Sequence, residues 1–324
     1  MIEYNEKMLS LDSSKISDYM RCPRYFFYRH ILGWKKAGVS HDLIFGESWH
    51  RAKEFLLING FVDGWIDGAM DAFNAYYRQH YLDITDLDRY PKSPAGARES
   101  LELYEKQYKD TMNFELSKIK GRPATEVYGT VPIDDDGNRL HFRMDAIGMN
   151  QYEKIAYMDH KSTKSDNPIY QQVWSISTQM MTYYHALVCI AGANHIGDVY
   201  GGIVDLSIFR KGSKGHEHKR IPIRKTMGML NEWLVNVSEW VRAINFDVKT
   251  MFDLMSVFRQ KESMPVFRRC DHGCTAYYTM CPFFDLCTMW ENPLQRCDEV
   301  PLGYEQEYWD PSVREEGKTF VEVS

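Results

Sequence analysis

Three short segments dictate most of what this chain can become. Thr125–Ile133, Arg139–Ile147 and Ile155–Lys161 alternate apolar and polar residues with a period of two, and short links separate them, Asp135-Asp136-Gly137 and Met149–Glu153. Side chains alternate across a strand, so this pattern predicts turn-linked antiparallel strands. Asn167-Pro168 then caps a long helix to about Cys189, and Ile196–Phe209 returns to strand, with Gly201-Gly202 marking a bulge or a close backbone approach. Ahead of the strands the spacing is helical. Asp12-Ser13-Ser14 opens a helix with Ile16, Tyr19 and Met20 on one face, and Pro23 starts another carrying Tyr25, Phe26 and Phe27. Residues 45–58, 64–82, 95–119 and 224–258 read as further helices, and the aromatic stripe of Trp65, Phe73, Tyr76 and Tyr77 reads as core. The fold class is α/β: a mixed sheet flanked by helices, with a helical insertion.

Composition narrows the function. The 324 residues fit two domains or one elaborated domain, with a core large enough to need no disulfides. Against 45 Asp and Glu stand 39 Lys and Arg, a net charge of −6, which excludes a generally basic nucleic-acid coat. Any phosphate contact must come from a local patch. Arg210–Arg220 is a dense cationic stretch at a hairpin tip, readable as a phosphate-tracking finger or as a solvated turn. No apolar run approaches the ~20 residues of a membrane span. Met1–Asp12 carries Glu3, Glu6 and Asp12 and no signal-peptide core, so a soluble cytoplasmic protein is expected. Of seven cysteines, Cys270, Cys274, Cys281 and Cys287 fall within eighteen residues, which in a reducing compartment reads as metal binding.

On the third strand, alternation puts Tyr157, Asp159 and Lys161 on one face and His160 on the other; on the second, Arg143 and Asp145 oppose Leu140, Phe142, Met144 and Ala146. A hairpin therefore brings Asp145, Asp159 and Lys161 to one polar face. Two carboxylates held close repel unless a cation lies between them, the situation that suits Mg²⁺ or Mn²⁺. A lysine two residues on can offset negative charge on a phosphate. Asp-x-Lys alone fits any solvated strand; its company is Gln179-x-x-x-Tyr183 on the crossover helix and Gly46-x-x-x-His50 upstream. His50 also reads as a core histidine, Tyr183 as helix packing and Glu126 as a strand-face charge.

In this order, Gly46-x-x-x-His50, the Asp145 strand, Asp159-x-Lys161 and Gln179-x-x-x-Tyr183 resemble the RecB-type branch of the PD-(D/E)xK nucleases, over Lys15 to Cys287. That branch includes AddB-like helicase-nuclease subunits, CRISPR-associated exonucleases and phage relatives. The resemblance implies a restriction-endonuclease-like mixed central sheet. It implies that His50, Asp145, Asp159 and the backbone carbonyl of His160 ligate Mg²⁺ or Mn²⁺, and that Lys161 positions or activates the attacking water. Gln179 and Tyr183 would orient the site and the DNA strand, with Glu126 close behind the ligands. Met144 stands where the family name has proline.

Cys22, in Arg21-Cys22-Pro23-Arg24, together with Cys274, Cys281 and Cys287, resembles the iron–sulfur staple of the same branch. A [4Fe–4S] cluster takes four thiolates, and here it would clasp a cysteine-rich C-terminal segment to the N-terminus. Cys270 is a fifth candidate, and a zinc site of Cys270, Cys274, Cys281 and Cys287 is the rival reading. Cys189 reads as core, and Cys297 receives no role.

The expected activity is a metal-dependent DNA exonuclease on single-stranded or end-containing DNA. Its setting would be recombination, repair or phage DNA processing in a bacterial or phage-infected cell, with a recombination or replication protein as partner and no membrane. A helical arch lined with aromatics would stack unpaired bases. The expected divisions are 1–36 (N-terminal helices with Cys22), 37–120 (helical region with His50), 121–265 (nuclease core), 266–297 (cysteine-rich segment) and 298–324 (tail). The rival functions are a non-catalytic DNA-binding module of the same fold and a zinc-stabilised partner-binding protein.

Overall fold

The strands expected from period-two alternation form the middle of a seven-stranded mixed sheet. The structure, a computed structural model, describes residues 2–165, 167–212, 215–313 and 318–323. The strands are β1 (Phe114–Leu116), β2 (Thr125–Pro132), β3 (Arg139–Asn150), β4 (Ile155–Thr163), β5 (Val199–Ile208), β6 (Glu217–Arg224) and β7 (Phe320–Glu322). Their order is β7-β2-β3-β4-β5-β6, and β1 pairs with the far end of β3. β7 lies parallel to β2 and β4 parallel to β5; the remaining pairs are antiparallel. Pro222 falls on β6, an edge strand, where a missing N–H is tolerated.

The helices are α1 (Ser13–Arg21), α2 (His41–Asn59), α3 (Trp65–Tyr77), α4 (Pro94–Tyr108), α5 (Pro168–Val173), α6 (Thr178–Ala191) and α7 (Met227–Asp253). Asp12 caps α1 as expected, its carboxylate accepting the Lys15 N–H at 2.8 Å. α6 makes the parallel crossover from β4 to β5. Every residue from Met180 to Val188 is buried, so the helix sits in the main core between the sheet, α1 and α7. A second core joins α2, α3, α4 and Phe209. Trp65, Phe73 and Tyr77 are interior to it, out of reach of any DNA base, so these rings do not form the base-stacking arch. No helix among the described residues is long and apolar enough to cross a membrane.

Four expected elements differ. The helix expected over 95–119 ends at Tyr108, because Phe114 gains more by pairing on β3, where it packs against Ala146, Ala156 and Met158. The helix expected from 167 to 189 is two, since the Ser177 hydroxyl accepts the Met180 N–H and opens a new helix after a break. The helix expected from 224 starts at Met227, after β6, and is capped by Thr226. The one expected over 64–82 stops at Tyr77.

Candidate active site

β3 and β4 separate at their ends: the last paired residues there are Ala146 and Met158, and Asp145 fills the gap. Its Oδ2 accepts the backbone N–H of His160 at 2.6 Å. α2 delivers His50 from outside the sheet, with Nδ1 3.3 Å from the same oxygen. Glu126 reaches this spot from β2 through a backbone φ of +46°. A non-glycine residue there costs about 1–3 kcal/mol and persists only where the surroundings impose it. One ligand atom each from His50, Glu126 and Asp145 lies within 4.8 Å of the others. Oxygen ligands of Mg²⁺ sit at about 2.1 Å, so opposite ligands are about 4.2 Å apart. The trio therefore fits a single ion after slight contraction.

These three share a cavity of about 240 Å³ with Asp159, Lys161, Gln179 and Tyr183. Asp159 is buried and its Oδ2 lies 2.9 Å from Lys161 Nζ. Gln179 Nε2 donates to the Tyr183 hydroxyl at 3.0 Å. A Cβ built on Gly46, one turn before His50, would meet nothing within 4 Å, so packing does not demand glycine and the space beside α2 stays open.

Burial and neighbouring charge move these groups in opposite directions. Burial would push Asp145 up, but the His50 imidazolium facing it holds its carboxyl well below the usual range. His50 would be lowered by burial, and the Asp145 carboxylate instead raises it to about 9. Burial and the neighbouring Asp145 charge push Glu126 up to about 8. Burial also raises Asp159, against the pull of Lys161. Carboxylates raised by burial and by one another are relieved by a bound cation.

The expected convergence of Asp145, Asp159 and Lys161 on one cavity is thus present. The closely spaced group that could hold an ion also contains Glu126, and Asp159 lies beside it, paired with Lys161. Glu126 is not an ordinary strand-face charge, and nothing in its neighbours' pattern signals the left-handed backbone that turns it inward. The His160 side chain points away from the cavity, as alternation implies, and joins a buried network missed in the sequence. Its Nδ1 lies 3.0 Å from Asp205 Oδ2. Lys53 Nζ lies 2.9 Å from the same oxygen, the Tyr104 hydroxyl donates to it at 3.0 Å, and Arg220 Nε is 3.7 Å from Oδ1. Two signals were available: Lys53 falls on the apolar stripe of α2, and Asp205 interrupts Val204-Asp205-Leu206. Also missed were Trp309 and Asp310, which complete the cavity wall; Trp309 Nε1 donates to Asp12 Oδ2 at 2.8 Å.

In the cationic stretch, Ser213 and Lys214 lie outside the described residues. His218 is buried, Arg220 turns in toward Asp205, and Arg210 pairs with Glu217 at 2.6 Å, so most of the stretch is not a free finger.

No disulfide joins any of the seven cysteines. Cys22 lies against Gly273, where an added Cβ would come within 3.1 Å of the Cys22 Cβ, and the Arg21 guanidinium donates to the Gly273 carbonyl at 2.8 Å. The Cys281 N–H donates to the Cys274 carbonyl at 2.7 Å. Burial raises Cys274, Cys281 and Cys287, Cys287 to about 11, and each is raised further by Cys22 nearby. Cys22 therefore acts on all three, Cys281 is raised by Cys274 and Cys287 by Cys281, while Cys270 acts on Cys274 alone of these three.

With this geometry in place, the sequence profile of the PD-(D/E)XK nuclease superfamily matches residues 11–287. The chain belongs to that superfamily. Among solved structures, this superfamily member is similar to a candidate exonuclease from Eubacterium rectale (14% identity, 74% of this chain and 83% of that one, TM-score 0.42). It is also similar to SSO0001 (15% identity, 72% and 85%, TM-score 0.24). No curated protein matches it in sequence.

Proposed function

We propose that the protein is a metal-dependent deoxyribonuclease of the RecB-type branch, acting as an exonuclease on single-stranded DNA or DNA ends. The observation that carries this reading is the trio of His50, Glu126 and Asp145 at single-ion spacing, beside the Asp159–Lys161 pair in one cavity of a PD-(D/E)XK chain. A bound Mg²⁺ or Mn²⁺ would supply Lewis acidity for in-line hydrolysis of a phosphodiester. Asp145, fixed by the His160 N–H, would hold the ion through its carboxylate. A strand residue presents its N–H and C=O at the same edge, so the His160 carbonyl would be a further ligand. Lys161 is anchored by Asp159 with its ammonium in the cavity, where it can hold the attacking water and offset phosphate charge. Gln179, tied to Tyr183, orients the strand being cut. In this reading Glu126 is a ligand.

Cys22, Cys274, Cys281 and Cys287 would hold a [4Fe–4S] cluster. What supports this set over a zinc site of Cys270, Cys274, Cys281 and Cys287 is that Cys22 lies close enough to act on Cys274, Cys281 and Cys287 alike.

The test is end-labelled linear DNA against circular DNA, with Mn²⁺, with Mg²⁺ and with chelator, on anaerobically purified protein. The expected result is metal-dependent release of short products from linear single strands and intact circles. Cut circles would make the enzyme an endonuclease, and DNA binding without cleavage in either metal would leave a non-catalytic module. Visible absorption with bound iron is expected; colourless protein with stoichiometric zinc would reverse the cluster assignment.

A further inference from the structure

The cavity is small and walled by carboxylates, so a polyanionic strand must be gripped elsewhere. A groove of about 880 Å³ lies between the start of α2, residues 81–91 and the ends of β4 and β5. Its cations are Arg89, Lys164, Arg210 and Lys211, with Asp88 as the carboxylate among its lining residues; Arg210 is paired with Glu217 at 2.6 Å, and Lys164 lies 3.6 Å from Asp42. In a chain of net charge −6 this is the concentrated patch that a phosphate backbone requires.

Two elements independently join groove and cavity. β4 carries Lys161 in the cavity and runs on to Lys164 in the groove, about 10 Å further at the rise of a strand. α2 begins with His41 in the groove and reaches His50 nine residues later, about 14 Å along the helix. The Phe209 N–H donates to the Thr163 carbonyl at 2.7 Å, which fixes the groove floor to the end of β4.

The groove also carries ring faces. The Arg89 guanidinium lies 3.9 Å from the centre of the Tyr81 ring, and that ring is 5.4 Å from the His41 ring. Unpaired bases stack on aromatic and guanidinium faces, whereas a duplex keeps its bases covered. Cations beside stacking platforms, one short strand length from the ligand trio, describe a path for one strand.

We infer that this groove binds the single DNA strand whose end is cut in the cavity, with Lys164 and Lys211 on phosphates and the Tyr81–Arg89 pair under a base. The inference rests on the nuclease reading and adds the strand's route to it.

The test is equilibrium binding of a fluorescein-labelled oligothymidine to the full chain, without added divalent ion, over a series of NaCl concentrations. For single strands the slope of log affinity against log salt is about −0.7 per phosphate contact, so Lys164→Gln with Lys211→Gln should flatten it by about 1.4. Both side chains are exposed, so folding is not at stake. Lys106→Gln with Lys249→Gln, which removes two exposed charges elsewhere, should leave the slope as in wild type. A groove variant with the wild-type slope, or a control variant flattened equally, overturns the inference while cleavage by the wild type stands. A blunt duplex of the same length should compete weakly; equal competition overturns the assignment to a single strand. Wild type that neither binds nor cleaves DNA overturns the nuclease reading itself.

Discussion

Replacing Lys53 with methionine would leave Asp205 charged, fully buried and deprived of its nearest cation. The pair is separated by 2.9 Å, and at an effective dielectric of about 20 its gross attraction is about 6 kcal/mol. Moving both ions out of water costs several kcal/mol each, so the intact pair contributes little net stability. Losing one partner is different: an uncompensated buried charge costs about 3–5 kcal/mol, out of a total stability of about 5–15 kcal/mol. Asp205 keeps the Tyr104 hydroxyl, His160 and Arg220, which places Lys53→Met near the lower figure. Asp205→Asn strands Lys53 over the Tyr104 ring, 2.9 Å from its centre. Burial already lowers the Lys53 ammonium to about 7, so part of that cost is relieved by deprotonation. The double variant loses both charges together and should be about 2 kcal/mol more stable than the sum of the single effects predicts. Urea unfolding at neutral pH, with the denaturant slope checked for constancy, measures all four corners of the cycle. Single effects that add to within about 0.5 kcal/mol would refute the coupling. A Lys53→Met protein as stable as wild type would refute the charge argument outright.

Three further outcomes follow from the site and the cysteines. Asp145→Asn should lower cleavage roughly a hundredfold or more, since several kcal/mol of charge stabilisation depend on the ion it helps to hold; unchanged turnover with normal Mn²⁺ binding would remove Asp145 from the ligands. His50 and Glu126, raised to about 9 and about 8 in the metal-free protein, hold protons below those values that an ion must displace. Affinity for Mn²⁺ should therefore rise with pH through this window, with proton release visible by calorimetry in buffers of different ionisation heat; a flat profile from pH 7 to 9 would contradict it. Cys22→Ser should abolish visible absorption and, by freeing a loop of 252 residues between Cys22 and Cys274, lower stability by up to about 5 kcal/mol, read by thermal unfolding under anaerobic conditions.

The strands that build the site were legible because their pattern is local. Alternation in 125–133, 139–147 and 155–161 foretold β2, β3 and β4 to within a few residues, and with them the shared face of Asp145, Asp159 and Lys161. The crossover to β5 was legible for the same reason. What stayed hidden depends on distant partners. Phe114 looks helical until β3 is there to pair with it. Glu126 needs a left-handed backbone that no neighbouring residue announces. Lys53 and Asp205 each look misplaced in their apolar surroundings until each is seen to answer the other. Trp309 sits in a polar stretch whose packing against Asp12 spans nearly the whole chain.

That long reach has a consequence in time. Synthesis proceeds from the N-terminus and domains fold as they emerge, so a nascent chain carries His50, Asp145 and Asp159 well before it has Trp309, Asp310 or β7. Until those late residues arrive, the cavity lacks one wall, and β2 lacks the neighbour that flanks it beside Glu126. Completion of the cavity wall, and of the sheet edge beyond β2, is thus among the last steps by which this site is built.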